Sequence, residues 1–145
     1  MRVLFLSCLL LPLVVGCVTV EDSDTLYGAY SDYVSVADRN NIIEVADDFF
    51  SRNLLGEGYQ SNPDAADQLL FKNTMSNTHS HFESIENDVG CLIINGTNSE
   101  EEPVVFSLKY SAGSAGWLID GIHVGFVEAA SDYPQTASCP ADYFG

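Results

Sequence analysis

The chain has 145 residues, 46% of them hydrophobic and 11% aromatic, which suffices for one packed domain and excludes wholesale disorder. Its 21 acidic and 5 basic residues give a net charge of −16, and a field of that sign repels nucleic acid and anionic lipid head groups. Because the acidic residues are scattered rather than clustered, solubility or adaptation to salt is the simplest interpretation, and capture of a cationic partner is the alternative.

Residues 1–16 have the features of an export signal. Arg2 supplies a positive charge, and residues 3–15 are almost wholly apolar. This run is shorter than the stretch of about 20 residues that a membrane-spanning helix needs, so its length favours a signal peptide over a transmembrane anchor.

The signal ends in Val14-Val15-Gly16-Cys17, which resembles the lipobox of bacterial lipoproteins. The resemblance implies cleavage between Gly16 and Cys17 and lipidation of the Cys17 thiol, followed by acylation of the new amino terminus. Two or three acyl chains give stable attachment, at about 0.8 kcal/mol per buried methylene. Val18 follows the cysteine where an aspartate tends to retain Gram-negative lipoproteins in the inner membrane, which favours the outer membrane and a periplasm-facing domain. An ordinary secretory signal with an incidental cysteine is the alternative.

Cysteine usage predicts a disulfide. Cys8 leaves with the signal peptide and Cys17 is lipidated, so Cys91 and Cys139 remain as an even pair in an oxidising compartment. Their bond would close a loop worth about 4 kcal/mol in the chain-entropy model and tie the coil-like tail, residues 131–145, to the domain. Two buried free thiols are the alternative, and a metal site is disfavoured because neither cysteine belongs to a Cys/His cluster.

Residues 17–38 are acidic and rich in tyrosine without a clear period, which predicts a tether, partly ordered through its tyrosines. A single domain is expected over residues 39–145. Residues 40–54 show helical spacing, with Asp38 or Asn40 as the cap and Gly56 and Gly58 at the end. An Asp48–Arg52 pair is expected on the outer face of this helix.

Two further helices are predicted before the strands begin. Asn62-Pro63-Asp64 opens a short helix whose apolar side includes Leu69, Leu70 and Phe71. Residues 76–86 predict a third helix, with Phe82 and Ile85 facing inward.

From residue 89 the pattern changes to that of strands. The first strand, at residues 91–94, is expected to stop at the turn signal Asn95-Gly96. The second covers residues 103–110 with alternating faces, and the third covers residues 117–127 after a hairpin loop at residues 111–116. Glu100-Glu101-Glu102 is expected in an exposed loop. Helices followed by antiparallel strands predict an α+β fold, with the helices packed on a small curved sheet.

The strand Trp117-Leu118-Ile119-Asp120-Gly121-Ile122 after a hairpin resembles a pattern in the nuclear-transport-factor-2-like and cystatin-like superfamily. The resemblance covers about residues 40–130 and implies a cone-like domain in which helices and a curved sheet enclose a pocket. Members of that superfamily include enzymes and non-catalytic binders, so the resemblance leaves the activity open.

Two clusters are candidates for chemistry. His79, His81 and Glu83 have side chains that bind metals, but their polar surroundings favour a solvated surface, and no metal or other cofactor is expected. Asp120 and His123 fall on the predicted third strand, where strict alternation places them on opposite faces and His123 on the face of Trp117. The pocket that the resemblance implies makes Trp117, Asp120 and His123 the candidate pocket residues, without an assigned catalytic role.

Three functions remain open at this point. The leading hypothesis is a membrane-anchored envelope lipoprotein with a non-catalytic module that binds an envelope protein or a small ligand. The second is a small enzyme that uses Asp120 or His123 in an apolar pocket. The third is an acidic inhibitor or immunity-type protein whose charge captures a cationic partner.

Overall fold

The computed structural model describes residues 24–140, so the predicted signal peptide, Cys17 and the last five residues lie outside the described part. Four α-helices, four β-strands and three short 3-10 segments make up the described chain. The helices are α1 (Leu26–Val36), α2 (Ile42–Phe49), α3 (Arg52–Leu55) and α4 (Ala65–Leu69), and the strands are β1 (Asn77–Glu86), β2 (Val89–Thr97), β3 (Pro103–Gly113) and β4 (Gly116–Phe126). Between residues 24 and 140, no helix is long and apolar enough to cross a membrane.

The strands form one antiparallel sheet in the order β1-β2-β3-β4. Each strand pairs with the next along the chain, as hairpin connections allow. The β3–β4 hairpin occupies the position that the sequence predicts, and the helices precede the sheet, so the α+β class is confirmed in this coarse form.

One face of the sheet carries the main core. Because side chains alternate along a strand, Val104, Phe106, Leu108 and Tyr110 of β3 all point toward the helices, and each is at most 1% exposed. The ring of Phe106 lies 5.2 Å from that of Phe71, centroid to centroid. The alternation predicted for β3 is therefore confirmed.

The opposite face of the sheet is covered by the tail. Ile93, Val105 and Tyr133 form a small buried cluster there. The tail is also held by polar contacts, since the Tyr133 hydroxyl donates to the Gly96 carbonyl at 2.5 Å and Ser107 Oγ donates to the Ser138 carbonyl at 3.1 Å. Few apolar side chains are buried on this face, so hydrogen bonds contribute more to holding the tail than they would on a large apolar face.

The predicted disulfide is present. Cys91 and Cys139 are bonded with sulfurs 2.02 Å apart and Cα atoms 4.6 Å apart, across 48 residues of chain. Cys91 lies on β2, next to the helix-facing Leu92, and Cys139 lies near the end of the described tail. The bond fastens the tail to the middle of the sheet.

The helix predicted for residues 76–86 is wrong, because this segment forms β1. Phe82 and Ile85 are three residues apart, which fits a helix, but Phe82 packs against the tail-facing cluster while Ile85 is 47% exposed. The segment is an edge strand with little buried surface, and such strands show only a weak alternating pattern.

The turn predicted at Asn95-Gly96 is also wrong, since β2 runs through both residues to Thr97. Gly96 is needed for a different reason: a Cβ there would lie 2.1 Å from the Asn77 carbonyl oxygen. The reversal comes later, where the Asn98 side chain accepts hydrogen bonds from the amides of Glu100 and Glu102. The expected exposed acidic loop is thus confirmed, with Asn98 shaping it.

The single helix predicted for residues 40–54 is interrupted at Phe50. This residue is extended and 1% exposed, and it forms a parallel bridge with Ile119 of β4. Packing of Phe50 into the core outweighs continuation of the helix. The break removes the i,i+4 geometry expected for Asp48 and Arg52, and no ion pair joins them among the described residues.

The tether boundary at residue 38 needs correction. Residues 26–36 form α1, which begins where Thr25 Oγ1 accepts a hydrogen bond from the Gly28 amide. Leu26, Tyr30 and Tyr33 are buried in the main core. The helical period of this segment was not recognised because tyrosines, rather than aliphatic residues, form most of its buried side. The folded domain therefore begins well before residue 39.

Candidate functional site

The His79, His81 and Glu83 cluster is dispersed by a bulge in β1. The pairing with β2 shifts between Thr78 and Ser80, so His79 has no partner on β2. The His79 ring approaches Tyr133 of the tail, with centroids 6.1 Å apart. His81 and Glu83 lie on the helix-facing side, so the three side chains do not converge on one point.

His81 and Glu83 instead fix the start of α1. The His81 ring stacks on Tyr27 with centroids 3.7 Å apart, and the Tyr27 amide donates to Glu83 Oε2 at 2.9 Å. A carboxylate at the first turn of a helix interacts favourably with the helix dipole. Within residues 24–140, no group of three or more His, Cys, Asp or Glu side chains is arranged to hold a metal ion.

Asp120 lies at a second bulge, on the edge strand β4. Tyr110 pairs with Ile119 and Lys109 pairs with Gly121, which leaves Asp120 without a partner on β3. Its carboxylate accepts a hydrogen bond from Ser51 Oγ at 2.5 Å and lies 3.5 Å from Lys109 Nζ. These contacts join the α2–α3 junction to the sheet, so the Asp120 carboxylate has a structural role.

The bulge also changes the face of His123. Strict alternation would place His123 with Trp117 and Ile119, but the extra residue reverses the alternation beyond Asp120. His123 pairs with Ser107, whose side chain contacts the tail, whereas Trp117 and Ile119 pack with the helices. The expectation that His123 shares a face with Trp117 is therefore wrong.

Trp117 lines a concave site of about 410 Å³, hereafter the Trp117 cavity. Asp32 of α1 and Asp47 and Asp48 of α2 line it, together with Phe49 and the β3–β4 turn. Three exposed carboxylates and two half-buried aromatic rings thus border one opening. Carboxylates and aromatic faces both attract cations.

The sequence predicted Trp117 for a pocket but missed the three aspartates. Asp48 was expected on the outer face of a helix, Asp32 lay within the predicted tether, and Asp47 was not singled out. Helix α1 packs beside α2, which brings the carboxylates together from distant positions. The adjacent pair Asp47-Asp48, next to two phenylalanines, was the available signal.

A second concavity, hereafter the tyrosine groove, measures about 500 Å³ and lies between α1 and the segment that enters β1. Tyr27, Tyr30 and Val34 line it from α1, and Met75 and Thr78 line it from the other side. Burial and the neighbouring Tyr27 raise the pKa of Tyr30 far above its ordinary value, so its hydroxyl stays protonated. The groove therefore offers mainly apolar and neutral polar surface.

Two buried polar atoms have no hydrogen-bond partner within the described chain. They are the Tyr110 hydroxyl, beneath α1, and Asn95 Oδ1, under the tail. Burial raises the pKa of Tyr110 well above its ordinary value, and the nearby tyrosines Tyr30 and Tyr33 raise it further. Neither atom lines the Trp117 cavity or the tyrosine groove.

Comparison of the chain with protein-family models, curated proteins and solved structures finds no match.

Proposed function

We propose that this chain is a lipid-anchored protein of the bacterial cell envelope whose folded domain binds a partner and is not an enzyme. The observation that carries the binding role is the position of the candidate catalytic groups outside the Trp117 cavity. Asp120 is engaged by Ser51 and Lys109, and His123 lies on the tail side of β4, away from the Trp117 cavity. An acid–base pair has to reach a substrate held in one cavity, and neither of these groups lines the Trp117 cavity.

The lipid anchor rests on the sequence Val14-Val15-Gly16-Cys17 and on the charged domain that follows it. Beyond Gly16 the chain has 4 basic and 21 acidic residues, a net charge of −17, which repels anionic lipid. Such a domain needs a covalent anchor to stay at a membrane. The outer membrane, the periplasm-facing orientation and the cone-like architecture belong to the same proposal, the last supported by helices packed on one face of an antiparallel sheet.

Replacement of the acceptor cysteine tests the anchor. In Cys17→Ser the precursor should remain unprocessed at that site, or the chain should leave the membrane fraction. Cys8→Ser is the matched control, since Cys8 lies in the part that is removed. Intact mass and membrane fractionation are measured for both, and a Cys17→Ser chain with unchanged mass and location contradicts the proposal.

The Trp117 cavity favours a cationic group on the partner, which supports the inhibitor or immunity-type alternative. Asp32, Asp47 and Asp48 supply the charge, and Trp117 with Phe49 supplies ring surface for a lysine or arginine side chain. Attraction between exposed charges weakens as salt rises, because the Debye length falls from about 10 Å at 0.1 M to about 3 Å at 1 M.

Capture of envelope proteins by the full chain tests this role. Asp47→Asn with Asp48→Asn should lose the captured partner, and retention should fall with salt. Glu100→Gln with Glu101→Gln removes the same charge from a distant exposed loop and should retain the partner. Equal loss in both double variants would show that net charge alone acts, and a hydrolytic turnover abolished by Asp120→Ala would reinstate the enzyme.

A further inference from the structure

We infer that the open edge of β1, together with the tyrosine groove, binds an extended peptide segment by strand addition. The segment has a bulky apolar side chain toward one end and basic residues toward the other. This inference rests on the binding role proposed above and names a second surface and the class of partner that fits it.

The two edges of the sheet differ. On β4, the Ser51 amide donates to the Ile119 carbonyl at 2.9 Å, and Phe50 bridges to the same residue. Each edge strand has one bulge, at His79 in β1 and at Asp120 in β4, so the bulges do not distinguish the edges. Within residues 24–140, β1 pairs with β2 alone over its ten residues. An open edge presents backbone donors and acceptors at alternate residues, which is the template for an added strand.

The tyrosine groove adjoins the beginning of this edge. Thr78 belongs to β1 and also lines the groove, opposite Tyr27 and Val34 of α1. Side chains of an added strand alternate between the two faces of the sheet, so those on the helix-facing side point toward α1. A groove of about 500 Å³ accommodates one large apolar side chain next to Met75, while the backbone pairs with β1.

The acidic residues near the far end of β1 determine which side chains the other end of the bound segment should carry. Glu86 and Asp88 are exposed where β1 turns into β2, and the whole chain carries a net charge of −16. Lys72 lies at the groove, where its ammonium group donates to the Val34 carbonyl at 3.0 Å. Basic residues of the segment are therefore favoured beside Glu86, and the apolar residue beside the groove.

Synthetic peptides and the full chain purified in detergent test the inference. The probe has ten residues, with threonine at alternate positions, lysines in one half, and valine and phenylalanine in the other. The reversed sequence covers the second strand direction. Binding should slow amide hydrogen exchange across Asn77–Glu86, and a peptide with glutamate in place of lysine should bind at least tenfold more weakly.

Backbone pairing is tested by N-methylation at every second residue, in each of the two frames. Only alternate amides of an added strand face β1, so one frame should lose binding at least tenfold and the other should keep it. Equal binding by both frames, or unchanged exchange over Asn77–Glu86, overturns the inference. Protection of β1 by self-association, seen in sedimentation without peptide, overturns it as well.

Side-chain variants locate the site. Ser31→Phe fills the tyrosine groove and should weaken binding at least tenfold, whereas Ser114→Phe alters the Trp117 cavity and should not. Glu86→Lys should weaken binding more than Glu128→Lys, which makes the same charge change at another exposed site. An envelope partner lost with Asp47→Asn and Asp48→Asn but kept with Ser31→Phe would support the proposed function and overturn this site.

Discussion

The two faces of the sheet are covered in different ways. On the helix-facing side, a continuous core of aromatic and aliphatic side chains joins α1, α2 and α4 to three strands. On the tail-facing side, three buried residues form the cluster, and the cover is a segment with little regular structure. The comparison shows that a face with a large apolar area is covered mainly by packing, while a face with a small one depends on a covalent bond and directed hydrogen bonds.

The largest effect is expected in the helix-facing core. Phe106 is fully buried and contacts the rings of Tyr30 and Phe71. Phe106→Ala should lower the free energy of unfolding by about 3–5 kcal/mol, because it removes a large apolar side chain and leaves a cavity. Phe126→Ala is the control on the same sheet, since Phe126 is 58% exposed. Urea denaturation measures both, and similar losses would contradict the division between core and surface.

The tail-facing side should respond to loss of the disulfide. Cys91→Ser with Cys139→Ser should lower the free energy of unfolding by about 2–4 kcal/mol, since the unfolded chain regains the freedom of a long loop. Amide exchange should accelerate in residues 128–140, while the amides of α1 keep their relative protection. Uniform acceleration in both regions would show that the bond holds the whole domain rather than the tail.

The difference between the faces also explains what the sequence predicts. β3 has a strict alternation and leads into a glycine-rich turn, and the disulfide follows from the predicted export signal and the number of cysteines, so these features were predictable. β1 was not, because an exposed edge strand has no continuous buried face and its Phe82 and Ile85 match a helical spacing. The face of His123 depended on one extra residue at Asp120, which no composition rule predicts.

The candidate site was predictable only in part. Trp117 was expected in a pocket because its strand resembles one in a superfamily whose helices and sheet enclose a pocket. The carboxylates of Asp32 and Asp47 reach that cavity through the packing of α1 beside α2, and the helical character of α1 was hidden by its tyrosines. Such proximity arises from tertiary packing, and no regular spacing of residues in the sequence predicts it.

The smallest effect is expected from single hydroxyl groups in the helix-facing core. The Tyr110 hydroxyl is buried without a partner, whereas the Tyr33 hydroxyl donates to the Leu69 carbonyl at 2.5 Å. Tyr33→Phe should destabilise the protein by about 1 kcal/mol, because the mutation removes a hydrogen bond. Tyr110→Phe should be neutral or stabilising by up to about 1 kcal/mol, because it removes an unsatisfied buried group. A larger loss for Tyr110→Phe would reveal a partner for that hydroxyl.

The same hydroxyls should make the fold sensitive to alkali. Burial raises the pKa values of Tyr30, Tyr33 and Tyr110 in the folded state above their ordinary value of 10.0. Below pH 10 both states keep these protons, so the stability is unaffected. Above it the unfolded chain binds fewer protons than the folded one, and each such tyrosine lowers the free energy of unfolding by about 1.4 kcal/mol per pH unit. Urea denaturation between pH 9 and 11, at about half-unit steps, should show a shallower decline for Tyr110→Phe than for the parent chain, by roughly one tyrosine's share. An identical decline in both proteins would mean that Tyr110 ionises in the folded state as readily as in the unfolded one.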